Sequence, residues 1–295
     1  MNFHAASREA LLAIEQKLLE VLEGGKPAAK SRSKATTAAK APTASKASAS
    51  AEEVGDELFS VVRLLDGEIG LRRAFGDPAA EPERRAELLS GLLSGKVGDK
   101  AFEVLRAVVT ARWSSPRELV DGLDELGRVA LLVHAERAGR LDAVEDELFR
   151  FGRIVAADTD LEQALTDRNA PVAAKVELVR GLIGGKADSV TVRLVEQLVV
   201  VPRGRALVAG LGELAAEAAK RRERSVAYVV TAGPLTEQQE ERLSATLQRI
   251  YSRPIALHVE VDPTIQGGLV IKVGDEVIDG SATGRLDALR RRLAG

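Results

Sequence analysis

Leu11, Leu12, Ile14, Leu18, Leu19 and Leu22 recur at three- and four-residue spacing, which predicts an amphipathic helix over Ala5 to Leu22, begun near Ser7 and stopped by Gly24-Gly25. From Ala51 the helical period returns, and it returns twice. Shifted by 90 residues, LFSVVRLLDGEIGLRRAFGDPAA from Leu58 lies over LFRFGRIVAADTDLEQALTDRNA from Leu148, and ELLSGLLSGK from Glu87 over ELVRGLIGGK from Glu177. About 50 residues align without a gap, and after a shift of two RELVDGLDEL from Arg117 lies over RALVAGLGEL from Arg205. Two copies of one helical unit therefore stand in tandem, each with enough amphipathic helices to close a core. The first copy takes Ala5 to Leu22 as its opening helix, and the second takes Val129 to Ala138. Between Arg117 and Ala138 only Gly122 and Gly127 weaken the helical pattern, so one long helix is expected to serve both bundles and to fix the angle between them.

After Arg224 the period falls from helical to alternating. Ser225 to Thr231 reads as a strand, LTEQQEERLSATLQRIY as a helix opened by the capping pair Thr236 and Gln239, and Ile255 to Val261 as a second strand. Val259 and Val261 alternate with Glu260 and Asp262, which predicts one buried face, and Pro263 ends the ladder. Leu269, Val270, Ile271 and Val273 form a third strand, Gly274-Asp275 a tight turn, and Val277 with Ile278 a short fourth. Ser281 is placed to cap a last helix carrying Leu286, Leu289 and Leu293. The fold class is mainly α: two tandem helical bundles sharing a long helix, then a small α/β domain. The expected divisions are 1–128, with an insertion at 26–50, then 129–224 and 225–295.

Composition alters this outline in one place. Residues 26–50 are almost wholly Ala, Ser, Thr, Lys and Pro with no acid, and are expected to be a disordered linker. Lys26, Lys30, Arg32, Lys34, Lys40 and Lys46 leave open a second reading, a tail that touches nucleic acid or anionic lipid, but the charges are scattered and have no aromatic residues between them. The chain as a whole carries a net charge of −2, against binding of nucleic acid through the whole surface. It has no cysteine, which excludes disulfides and thiol catalysis. No apolar run approaches the roughly 20 residues that span a bilayer, and the start of the chain, with Glu9 and Glu15 inside its apolar pattern, lacks a secretory core.

Candidate chemistry is thin. SGLLSGKVGD at Ser90 and RGLIGGKADS at Arg180 imitate phosphate loops, but three residues separate their glycines, Val97 or Ala187 follows the lysine, and a helix precedes each. Glycine ending a helix is the better reading. His4, His134 and His258 are scattered without carboxylates at ligand spacing, and His134 is expected to pack or cap within the shared helix. Glu145-Asp146-Glu147 reads as the wet face of a helix, and no nucleophile elbow is present. No active site, cofactor or metal is expected.

The tail carries a more specific signal. Val261-Asp262-Pro263, Ile265, Gly267-Gly268, Leu269, Ile271, Val273, Gly274, Asp275, Val277, Asp279, Gly280, Ser281 and Arg285, at this spacing, resemble the C-terminal signature of the delta subunit of F-type ATP synthases, the family of the mitochondrial oligomycin sensitivity-conferring protein. His134 to Ala156 resembles the start of that family's N-terminal helical domain, and Leu207 to Leu235 its exit into the C-terminal domain. The copy before Arg128 departs from the family's single bundle of six helices, in a manner similar to some high-GC bacterial members.

The resemblance implies a noncatalytic connector in the peripheral stalk of the ATP synthase. Its bundle would grip the N-terminal helix of an alpha subunit on the catalytic head, and its C-terminal domain would hold the b subunit. It would sit at the cell membrane on the cytoplasmic side, without entering the bilayer and without binding nucleic acid. The family's groove lies between the first and fifth helices. In the second copy these are Val129 to Ala138 and Ser189 to Val200, with Leu132, Ala135, Val192, Val195 and Val199 as its implied lining. In the first copy they are Ala5 to Leu22 and Lys100 to Ala111. The family's aromatic residue near the start of the first helix falls on Gly127. A helical adaptor, with the basic linker on nucleic acid, remains the alternative; it would bind a duplex with steep salt dependence.

Overall fold

The computed structural model describes residues 3–23, 44–224, 226–251, 255–262, 265, 267–274 and 276–281, with backbone alone at 44–50 and 224. Expectations that rest on 26–43, Pro263, Asp275, Arg285 and the last helix lie outside these residues. Two compact units divide the chain, residues 1–215 and 216–295.

The first unit is helical throughout. The first copy of the repeat comprises α1 (Ala5–Glu23), α2 (Ala44–Gly67), α3 (Ile69–Gly76), α4 (Pro82–Leu93), α5 (Asp99–Thr110) and the first part of α6 (Pro116–Arg137). The second takes the rest of α6, then α7 (Leu141–Ala157), α8 (Thr159–Thr166), α9 (Val172–Ile183), α10 (Ser189–Val200) and α11 (Leu207–Arg224). α2 begins at Ala44, so the last part of the stretch expected to be a disordered insertion is helical. Its alanines, the strongest helix formers, let a helix anchored by Val54 and Leu58 extend backward at little cost. Ser115 caps α6, its hydroxyl accepting from the Glu118 amide, and Pro116 sits at the first helical position, where its missing donor costs nothing. α6 then runs unbroken past Gly122 and Gly127 as the shared helix. Leu119, Val120, Leu123, Leu126, Ala130 and Val133 join the core of the first bundle, while Leu132 and Ala135 are buried outside it. A helix buried on nearly every side in this way is a core element.

Both imitation phosphate loops are helix ends. Gly95 and Gly185 follow α4 and α9 with φ of 72° and 70°, a conformation that glycine takes without penalty. Glu147 departs from the wet face expected of it: its carboxylate accepts from the Asp188 amide (2.9 Å) and the Thr191 hydroxyl (2.6 Å) at the start of α10. Glu57, 90 residues earlier, accepts from the Gly98 amide (2.9 Å) at the start of α5. In both copies an acid is held where a helix presents free donors.

The second unit contains the end of α11, β1 (Val226–Thr231), α12 (Glu237–Tyr251), β2 (Ala256–Val261), β3 (Leu269–Val273) and β4 (Glu276–Asp279). The sheet order is β2-β1-β3-β4, with β1 and β2 parallel and the other neighbours antiparallel. Thr236 and Gln239 form the reciprocal cap: the Thr236 amide donates to the Gln239 side chain (2.8 Å) and the Gln239 amide to the Thr236 hydroxyl (3.4 Å). Ala227, Val229, Leu247, Ile255, Ile271 and Val273 make the core. Val261 is 46% exposed, against the buried face expected of it, because β2 is an edge strand and Val261 pairs only with Thr231 at its end. Gly268 has φ of 85°, and a Cβ there would lie 2.4 Å from the Gly280 carbonyl, so the tail signature requires glycine at this point.

Candidate partner-binding site

α6 and α10, the two helices that the resemblance implies for the groove of the second copy, lie side by side. Of the implied groove residues, Leu132, Ala135, Val195 and Val199 are buried and Val192 is half-buried. α2 of the first copy packs on a different face of these two helices. Gly55 and Gly127 let α2 and α6 approach closely: a Cβ at Gly55 would lie 2.9 Å from the Leu131 side chain, and one at Gly127 would lie 2.6 Å from the Phe59 ring. Phe59 is 2% exposed, and burial of such a ring contributes about 1.5–3 kcal/mol. The missing aromatic at Gly127 is therefore replaced across the helix interface by Phe59.

Polar side chains complete the clamp. Arg193 on α10 donates to Asp56 and lies 3.0 Å from Glu52, and Arg63 donates to the Gln197 side chain at 2.9 Å. Burial pushes the Asp56 carboxyl above the usual carboxylate range, although Arg193 pulls it down. His134, expected to pack within the shared helix, is buried with its ring 3.0 Å from Arg140 and 3.6 Å from Glu52. Below this, fully buried Asp124 accepts from Gln197 at 3.0 Å and from Arg205 at 2.8 Å. Arg203 has φ of 51°, strained for a residue with a side chain. Its guanidinium repays this by donating to Asp121, to Asp66 (2.9 Å) and to the Arg117 carbonyl (3.1 Å). Sequence reading missed Arg193, Arg203 and Arg205, since a charged residue in a loop or on a helix face reads as solvated until its partner in another copy is known.

The corresponding seam of the first copy, between α1 and α5, has a different surface. The exposed pair Lys17 and Glu103 bridges it at 2.6 Å, and Ala10 and Ala107 on the same faces are only partly buried. Leu12 is 58% exposed on another face of α1. The start of α1 is tied down by Glu118 of α6, which accepts from the His4 amide (3.2 Å) and pairs with its ring. Burial pushes the Glu118 carboxyl up, but hydrogen bonds from Ser7 and His4 outweigh it and hold the group below its ordinary value.

In the second unit α12 covers one face of the sheet. On the other, register aligns His258, Tyr228, Lys272 and Val277 across all four strands, and all four are exposed. Tyr228 and His258 meet edge to face at 5.5 Å. Asp279, Gly280 and Ser281 of the tail signature close the end of β4: the Ser281 amide donates to Asp279 (2.9 Å), and the Gly280 amide to the Leu269 carbonyl (2.9 Å). Hydrogen bonds from Ser281 hold the Asp279 carboxyl below its ordinary value. These signature residues shape the backbone around the sheet.

Residues 129–293 match the ATP synthase delta (OSCP) subunit family. ATP synthase subunit delta of Streptomyces griseus is 49% identical over 84% of this chain and 92% of its own length. Its counterpart in Streptomyces avermitilis is 46% identical over 100% of both chains, and that of Nocardia farcinica is 51% identical over 83% of this chain and 90% of its own.

Proposed function

The chain belongs to the ATP synthase delta (OSCP) subunit family and is a noncatalytic component of the peripheral stalk, and from that premise we propose how it is held at each end. The helical unit receives the N-terminal helix of an alpha subunit in the seam between α1 and α5. One observation carries this choice: the α1–α5 contact is bridged only by the exposed pair Lys17 and Glu103 with Ala10 and Ala107 partly buried beside it, whereas α10 is already held by α2 of the same chain through Arg193 and Gln197. An amphipathic helix laid there would bury its apolar side on these residues, as helix-in-groove recognition requires. The earlier divisions fit this use, with 1–128 as the gripping bundle, 129–224 as the bundle that braces it and 225–295 as the second attachment. The exposed row His258, Tyr228, Lys272 and Val277 supports the C-terminal domain as the holder of the b subunit, since it offers aromatic, cationic and aliphatic contacts on a rigid sheet. Through these partners the chain sits at the cytoplasmic side of the cell membrane.

The test uses the assembled enzyme with a photoreactive phenylalanine in place of Lys17, and a second preparation with it in place of Val192. Crosslinking of the alpha N-terminus to position 17 is expected. Crosslinking to position 192 alone would move the grip to the second copy.

A further inference from the structure

The outer face of α2 is repeated on α7. Glu52, Asp56, Phe59 and Arg63 lie one turn apart along α2, and 90 residues on are Asp142, Asp146, Phe149 and Arg153. In α2 this set of four holds two neighbouring helices: the two acids take Arg193 and Arg63 takes Gln197 of α10, and between them the ring lies over Gly127 of α6. On α7 the same four are exposed, with Phe149 at 60%. A lone exposed phenylalanine has no special meaning. Here the ring stands between two acids and an arginine in the order that its sibling uses to hold α10, and α7 keeps its other face, Val144, Leu148, Phe151 and Val155, in the core.

We infer that the outer face of α7 is a second docking site of this subunit, for a helix of another polypeptide that carries an arginine followed four residues later by glutamine or asparagine, as Arg193 and Gln197 do on α10. A second copy of this chain is a poorer occupant, because its own α10 is already clamped by its own α2. Arg150 pairs with Asp146 at 2.9 Å, where α2 has Ser60 and leaves Asp56 to Arg193. Arg150 is 74% exposed, and an exposed pair within one helix is weak enough for an incoming arginine to displace.

The inference rests on the chain's place in the ATP synthase, and its test separates the two. Photoreactive phenylalanine replaces Phe149 in the full chain within the assembled enzyme, with a second preparation probed at Leu88 of α4 as the control. The expected result is a crosslink from position 149, absent from position 88, to a helical segment of another subunit bearing the arginine and the amide. Asp146→Lys and Phe149→Ala, both exposed and expected to leave the unfolding midpoint unchanged, should each weaken retention of the chain on the washed enzyme about tenfold. Assembly with no crosslink from 149, or with one to a segment lacking that pair, would overturn the inference while leaving the proposed function standing. Failure of the unaltered chain to assemble would overturn both.

Discussion

Trp113 and Arg203 stand 90 residues apart at corresponding points of the two copies, just past α5 and α10, and they turn in opposite directions. Trp113 turns inward: it is buried, its indole donates to the Val108 carbonyl at 2.8 Å, and its ring lies over Gly122 of its own bundle. Arg203 turns outward, into Asp66 and Asp121 of the other copy. The duplicated bundles have thus been given different work. The first closes its own core, while the second turns Arg193, Gln197 and Arg203 to brace the first. A brace made of buried ion pairs suits a joint that must hold its angle under load, because such pairs demand one geometry even where they add little net stability.

The largest effect that would break this comparison is at Asp124. Asp124→Ala removes the carboxylate that Gln197 and Arg205 share, and is expected to cost about 3–5 kcal/mol in urea unfolding, since it strands a buried guanidinium. Next are two glycine substitutions of opposite sign. Gly127→Ala drives a methyl into the Phe59 ring between the copies and should cost about 1–3 kcal/mol. Gly212→Ala on α11 meets nothing within 4 Å and should gain up to about 1 kcal/mol. Equal losses at both positions would mean that the copies do not interlock at Gly127.

The smallest effect is one of pH. The Glu118 pKa is lowered on folding, so its contribution is present above the ordinary glutamate range and is lost as pH falls through the lowered value. His4 is 78% exposed, which limits the contribution to about 1 kcal/mol or less. Unfolding midpoints taken across the acid range should fall more steeply for the unaltered chain than for Glu118→Gln; parallel curves would remove Glu118 as the anchor of α1.

Much of the fold was legible because hydrophobic period and repetition are local signals. The 90-residue repeat set two helical copies in tandem, the unbroken stretch after Arg117 exposed the shared helix, and Thr236 with Gln239 marked the start of α12. The site was less legible. Leu132, Ala135, Val195 and Val199 look alike as groove lining and as core until the elements packed on them are known, and the structure buries all four. The outer face of α2 reads as solvated because two acids and an arginine surround one phenylalanine. The useful signal was the recurrence of that same set on α7, visible only when the copies are compared by face as well as by period.

Reactivity of single cysteines tests the division of labour most directly, since the natural chain has none. Lys17→Cys and Leu132→Cys are labelled with a maleimide in the free chain and in the assembled enzyme. The expected result is fast labelling of position 17 in the free chain, strong protection of it on assembly, and slow labelling of position 132 in both. Labelling of position 132 as fast as position 17 in the free chain, or no protection of position 17 on assembly, would contradict the account.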